Sequence, residues 1–348
     1  MHAIAAHRIA GHWIAGHWRQ LVLGFVSLGI VAVIALMPQL LGDHVREGFG
    51  GLAAASPAWL WTASLGFALS LAASGCAWRS ALLRCGGRTS RLDSAARYGC
   101  GSLLNSFAPA RLGTALRFAL FARTLHGEGR LWTSGGVGTS VGVAHIVWLA
   151  ALLAFGAATG ALPAWPLAII AAIVAVAVAL AYFTRSSRPR GRVAHVLDAF
   201  HALGRCPRAA GQLLGWIGLA TVGRVAAATA VCTAFGISRP LAAALLIVPA
   251  LELAGTLPLT PGNIGVASAA IVFALKAHGT GVETAITAGI AFSAVETVTS
   301  IAFGLGSVLY LLGGEAPSFR RYALAGVSAT GCLALGVAFG ATVVMPLV

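Results

Sequence analysis

Charge is scarce in this chain of 348 residues. Only 9% of them are Asp, Glu, Lys or Arg, against about 25% in an ordinary soluble domain. Lysine occurs once, and Asp and Glu together number nine. Apolar residues make up 58%, and the mean hydropathy is +0.88. A soluble fold of this length cannot bury that much apolar surface. The expectation is an integral membrane protein. The formal net charge of +14 comes almost wholly from 22 arginines, which fall between hydrophobic runs. That distribution points to positive-inside topology and anionic lipid head groups rather than to nucleic acid.

Paired cysteines are missing too. Cys76, Cys85, Cys100, Cys206, Cys232 and Cys332 contain no CxxC and no regular spacing. Neither a disulfide framework nor a zinc site is expected, and the six read as small buried residues. No Walker loop, HExxH or dinucleotide fingerprint occurs. The polar connections are too small for an ATPase or acyltransferase domain. Without a recognisable acid–base or metal set, neither enzymatic activity nor a cofactor is expected. His7, His12 and His17 recur every five residues, so a helix rotates them off a common face. With Trp13 and Trp18 beside them, residues 1–20 read as an interfacial segment, not a metal site. The first apolar run lacks a small-x-small exit, which describes an uncleaved span rather than a signal peptide.

What the sequence does have is long apolar runs. A span needs about 20 residues, and seven stretches meet or approach that: 21–41, 57–78, 134–158, 167–183, 211–236, 284–312 and 322–346. Two more regions are apolar but broken. One, about 92–122, carries Asn105, Pro109, Arg111 and Gly113 in its middle. The other, about 240–276, carries Pro258, Pro261, Gly262, Asn263 and Gly265. Each has two arms too short to cross comfortably, around a core of helix-stopping residues. Both read as re-entrant helical hairpins. Lipid cannot hydrogen-bond an exposed turn, so each break must be covered by protein or line a wet cavity.

The arginines test this topology. With the N-terminus cytoplasmic, Arg8, Arg19, Arg79, Arg84, Arg88, Arg91, Arg97, Arg123, Arg130 and the 185–208 cluster face inside, as do Arg320 and Arg321. Only Arg46, Arg239 and Lys276 remain outside. The bias holds only if neither broken region crosses completely. One hairpin then enters from each face, the arrangement an inverted repeat gives. The organisation expected is one transmembrane domain over 21–348, with pseudo-repeat halves at about 21–183 and 184–348.

Particular residues stand out within this plan. Arg111 and Arg117 have the fork geometry that grips a phosphate, and Asn105 offers an amide beside freed backbone groups. In the second break, Ile264 opens an arm whose N-terminal amides suit an anion. Arg224, Glu252 and Glu296 sit deep in apolar segments. Such charges pair inside the bundle, and Arg224 with Glu296 or Glu252 is the natural match. His145 lies mid-span and reads as an interhelical hydrogen-bond partner. GxxxG pairs at Gly138/Gly142, Gly211/Gly215 and Gly336/Gly340 permit close helix contact.

The run Asn-x3-Pro-Ala-Arg-x-Gly-x3-Arg at 105–117 and the run Pro-Gly-x-Ile-Gly-Val at 261–266 resemble signature stretches of the lysylphosphatidylglycerol synthase transmembrane region. That module also occurs as stand-alone flippase-like proteins. The resemblance implies a lipid-translocating bundle with two re-entrant elements and an inverted repeat. In full-length synthases the module moves aminoacylated phosphatidylglycerol to the outer leaflet, and a soluble aminoacyl-transferase domain follows it. No such domain is legible here, so synthase activity is not carried over. The family often has Glu where this chain has Thr114, and often has Gly-Gly and a later Glu where it has Asn263 and Ser268. The missing carboxylates fit an anionic or neutral head group better than a cationic one.

The expected protein is therefore an all-α polytopic membrane protein of a bacterial inner membrane, with about seven spans and two opposed hairpins. Its expected function is movement of a phospholipid or polyprenyl-type lipid between leaflets. Asn105, Pro109, Arg111, Gly113, Arg117, Pro261, Gly262, Asn263 and Gly265 are the expected head-group site. Arg224, Glu252 and Glu296 form an expected charge network. The expected partner is the lipid itself, with self-association or a lipid-biosynthetic enzyme of the envelope alongside. Two rivals stand: a secondary transporter of a small polar solute, and a non-transporting accessory subunit of an envelope lipid or glycan pathway.

Overall fold

The computed structural model describes residues 55–107, 112–127, 129–158, 160, 192–255 and 264–312. Nine α-helices account for nearly all of them, and no strand occurs among the described residues. They are α1 (Pro57–Leu82), α2 (Arg91–Phe107), α3 (Leu112–Ala122), α4 (Arg130–Ala158), α5 (Arg192–Gly204), α6 (Pro207–Ala234), α7 (Pro240–Ala254), α8 (Ile264–Ala277) and α9 (Val282–Leu312). The spans expected at 21–41, 167–183 and 322–346 lie outside the described residues, as does the N-terminal histidine segment.

Four helices, α1, α4, α6 and α9, are long and apolar enough to cross a membrane. They match the runs read at 57–78, 134–158, 211–236 and 284–312, each extended by polar or small residues that hydropathy alone does not count. At 1.5 Å per residue the 26 residues of α1 reach about 39 Å, beyond the ~30 Å hydrocarbon layer. Proline opens three helices at the first turn, at Pro57, Pro207 and Pro240, where its missing N–H costs nothing. Gly86, Gly236 and Gly279 close turns in the left-handed region, which other residues enter only with strain.

The two broken regions fold as pairs of short helices. α2 and α3 hold 17 and 11 residues, and α7 and α8 hold 15 and 14. These lengths give roughly 16–26 Å, too little for a full crossing. α2 and α3 run antiparallel: Arg97 Nη1 donates to the Leu120 carbonyl at 2.8 Å, and Gly101 and Asn105 pack against Gly113. The base of the second pair is closed by a 2.9 Å hydrogen bond between the His278 ring and the Ser238 carbonyl.

α1 and α6 form the central contact. Gly66 faces Gly223 and Ala227, while Ser70 faces Gly223, so the helices are antiparallel. Neither glycine tolerates a side chain: a Cβ on Gly66 lies 2.7 Å from the Gly223 carbonyl oxygen, and the reverse distance is 2.8 Å. One hydrophobic cluster joins α1, α6, α7, α8 and α9 around Phe67, Ile247, Leu275 and Phe292. A second joins α1, α3, α4, α5 and α6 around Trp78, Phe121, Val137 and Ile217. Trp78 stacks on Phe121 at 4.7 Å, and Phe67 meets Phe292 edge-on at 5.0 Å.

The bundle has one basic end. Arg88 N donates to Thr124 O across the loops that flank the first short pair. Arg91 lies over the Trp216 ring, 5.8 Å from its centroid. Arg84, Arg123 and Arg130 border the same loops, and Arg205 and Arg208 flank the turn between α5 and α6. Ser56 N bonds Ala234 O at the opposite end, near Arg239 and Lys276. The bases of the two short pairs therefore lie at opposite ends of the bundle.

Candidate functional site

Between the two short pairs and the long helices lies a cavity of about 1020 Å³. Its wall is mostly apolar, with residues such as Leu71, Leu149, Leu246 and Phe273, but it contains one concentrated polar region. From α2 come Tyr98, Ser102, Asn105 and Ser106. From α4 comes His145, from α6 Thr221 and Arg224, from α7 Glu252, and from α9 Glu296, Thr297 and Ser300.

Arg224 organises this region. Its Nη1 donates to Glu252 Oε1, and its Nη2 donates to Glu296 Oε1 at 2.8 Å. The three residues come from three helices and are distant in sequence. The planar guanidinium holds its donors in a fixed fork, so Nη1 and Nη2 each take one carboxylate in a set geometry that the rotating ammonium of a lysine does not impose. Their side chains are 27%, 34% and 30% exposed, so the triad is reached from the cavity. One cation serves two anions, which leaves one carboxylate in excess when both are ionised. The ring of His145 is under the influence of Glu252, Arg224 and Arg117. It faces the cavity rather than serving only as a tie between helices.

Glu252 sits on an interrupted element. Pro249, three residues earlier, lies inside α7. It has no N–H to donate to the carbonyl one turn back, which loosens the helix there. Gly255 ends the helix three residues beyond.

The expected head-group residues divide into three groups. Pro109, Arg111, Pro261, Gly262 and Asn263 lie outside the described residues. Gly265 stands in the first turn of α8. Asn105, Gly113 and Arg117 are brought together where α2 meets α3. Gly113 has a steric part here: a Cβ would strike Gly101 and the Asn105 amide. Asn105 Oδ1 is buried without a hydrogen-bond partner among the described residues, and so is Arg117 Nε. Arg117 lies behind the wall. Its guanidinium covers the Tyr98 ring at 3.7 Å, and Nη2 reaches Ser102 Oγ at 3.4 Å.

Several wall residues escape a sequence reading. Ser70 and Ser74 of α1 are buried and line the cavity one turn apart. Serines in apolar helices commonly bond their own backbone, as Ser64 does to Leu60 O, so nothing marks these two. Tyr98 carries no signal either. Ser268, in place of a family carboxylate, shares a 2.9 Å hydrogen bond with Ser293 of α9. The letters Gly138-Thr-Ser140-Val-Gly142 spell a nucleophile-elbow pattern, but Ser140 lies inside α4 and donates to Gly136 O. The strand–turn–helix that an elbow requires is absent there. Of the sequence-read GxxxG pairs, Gly138 packs on Phe118, whereas Gly211 and Gly215 have no neighbour within 4 Å among the described residues.

The chain matches the lysylphosphatidylglycerol synthase transmembrane region over residues 20–304 and belongs to that family. It is thus a multi-pass membrane protein of a lipid and envelope family. Among curated proteins none matches it.

Proposed function

We propose that this protein moves a membrane lipid between leaflets. The observation that carries the reading is the cavity, which is apolar over most of its wall and charged in one place. Three of its apolar lining residues are themselves exposed: Phe273 76%, Leu253 56% and Ile146 36%. A lipid needs such a site, with its head group in the polar region and its acyl chains along an apolar wall that continues to the membrane. A small-solute transporter calls for an enclosed polar pocket instead, and an accessory subunit needs no cavity.

Two re-entrant hairpins in an inverted repeat give the route. The order long, short, short, long occurs twice, as α1–α4 and as α6–α9. The corresponding helices α1 and α6 are antiparallel, as a two-fold axis in the membrane plane requires. Both breaks carry Pro-x3-Gly, at Pro109–Gly113 and Pro258–Gly262. The basic end is cytoplasmic under the positive-inside rule. In this scheme Arg111 draws a phosphate head group of an anionic or neutral phospholipid, or of a polyprenyl-type lipid, from that leaflet, while Arg117 braces Tyr98 and Ser102 behind the cavity wall. The breaks and the triad then supply polar contacts partway across. No covalent step is involved, and the membrane is the bacterial inner (cytoplasmic) membrane.

The test is reconstitution in liposomes with a fluorescent phospholipid whose outer-leaflet fraction is bleached by a membrane-impermeant reductant. Wild-type protein is expected to raise the bleachable fraction above that of empty liposomes. Arg111→Ala is expected to slow the exchange by about tenfold, the loss of one charge-assisted phosphate contact. Unchanged exchange in that variant counts against the scheme, and wild type behaving like empty liposomes ends it.

A further inference from the structure

Resting on the lipid-passage reading, we propose that Arg224, Glu252 and Glu296 form a proton-binding site, and that its occupancy is coupled to head-group passage through the cavity. The triad is built from three helices around one guanidinium, which donates to both carboxylates. With both carboxylates ionised the triad carries one net negative charge. An uncompensated charge at membrane depth is costly. A proton from cavity water, bound on one carboxylate oxygen, removes it.

Among the described residues no second cation forms an ion pair with Glu252 or Glu296. α2 presents Tyr98 to this part of the cavity, and α1 presents Ser70 and Ser74. Among the lining residues of α8, Ala267, Phe273, Ala274 and Ala277, none ionises. Arg117 of α3 is held on Tyr98 and Ser102. His145 of α4 faces the same cavity and is near Glu252 and Arg224. Its imidazole can accept a proton and so offers a neighbouring stop.

Glu252 is the better placed acceptor. It is the more exposed of the two carboxylates. It also stands on the stretch of α7 between Pro249 and Gly255, where the helix is least restrained. A head group entering the cavity meets a triad whose net charge is either negative or zero. Lipid binding and proton binding then shift each other reciprocally.

The experiment uses the full chain in vesicles of phosphatidylethanolamine and phosphatidylglycerol with a trace of fluorescent phosphatidylglycerol. Exchange is followed under pH gradients of either direction. Infrared difference spectra of the same protein, titrated in detergent, follow the carbonyl stretch of a protonated carboxyl. The expected wild-type rate depends on gradient direction and changes by about tenfold per pH unit on its limiting side, the slope of one proton. Glu252→Gln and Glu296→Gln are expected to equalise the rates in the two directions, whatever their absolute values. One of the two is expected to remove the titrating carboxyl band. Glu252→Asp, which keeps a carboxylate, restores the directional response.

Wild-type exchange that ignores the gradient overturns the coupling and leaves lipid passage standing. No titrating carboxyl band overturns the proton site. A titrating band with no probe movement keeps the proton site and sinks both the lipid reading and the coupling. A purely structural ion pair lowers the melting temperature of the Gln variants but leaves wild type indifferent to gradient direction.

Discussion

Arg224, Glu252 and Glu296 are conspicuous as single letters because each is an ionisable residue inside an apolar stretch. Their depth says that they must find partners. It does not say which carboxylate the arginine takes. The fold answers with both, because α7 and α9 approach α6 from two sides and the guanidinium fork reaches each of them. Removing the fork leaves two carboxylates facing each other across a partly dry cavity. Arg224→Ala is expected to cost about 2–3 kcal/mol, between the limits for exposed and buried pairs. Arg224→Lys keeps the charge but loses the second donor edge, so roughly half of that loss is expected. Thermal unfolding in detergent, followed by the fluorescence of the native tryptophans, measures both. Equal melting temperatures for wild type and Arg224→Ala would show that the triad contributes nothing to stability.

Elements were legible in proportion to their regularity. The four long helices follow from unbroken apolar runs, and the two short pairs follow from proline and glycine in otherwise apolar segments. The contacts between elements were not legible. GxxxG spacing pointed to Gly138/Gly142 and Gly211/Gly215. The contact between α1 and α6 instead uses Gly66 and Gly223, one glycine on each of two antiparallel helices, neither of them part of a GxxxG pair. A spacing motif reports a face on one helix, while contact also depends on what the partner presents. Gly223→Val is expected to destabilise the bundle by about 1–3 kcal/mol, because the group it strikes is a backbone carbonyl that cannot move aside. Gly215→Ala, with nothing among the described residues within 4 Å of its Cβ, is expected to be neutral or stabilising by up to about 1 kcal/mol. Denaturation midpoints of the two variants check the contrast. Loss of stability in Gly215→Ala alone would contradict it.

At the scale of the whole molecule, the arginine count and the fold agree on a single asymmetry. The loops next to α2 and α3 are crowded with arginine, and the loops next to α7 and α8 are not. Opposed entry of the two short pairs makes a direct prediction. In a cysteine-free background, Arg123→Cys and Lys276→Cys, both at exposed positions, are expected to react with a membrane-impermeant maleimide from opposite faces. Arg123→Cys should label only after the cells are opened, and Lys276→Cys in intact spheroplasts. Labelling of both from one face would mean that one pair crosses completely, and the proposed inverted repeat of opposed hairpins would fall with it.

The amino-acid sequence by itself determined the solvent of this protein, the position of its long helices, the two interruptions and the family to which it belongs. Those properties are local: hydropathy, helix-stopping residues and short motifs act over a turn or a span. The tertiary structure alone decided that helices of both short pairs line one cavity, that a single arginine holds two glutamates from different helices, and that Arg117 stacks behind Tyr98. These depend on rotation about each helix axis and on the order in which helices pack. Both are set by contacts between residues far apart in the chain, on which the periodicity of any one segment is silent.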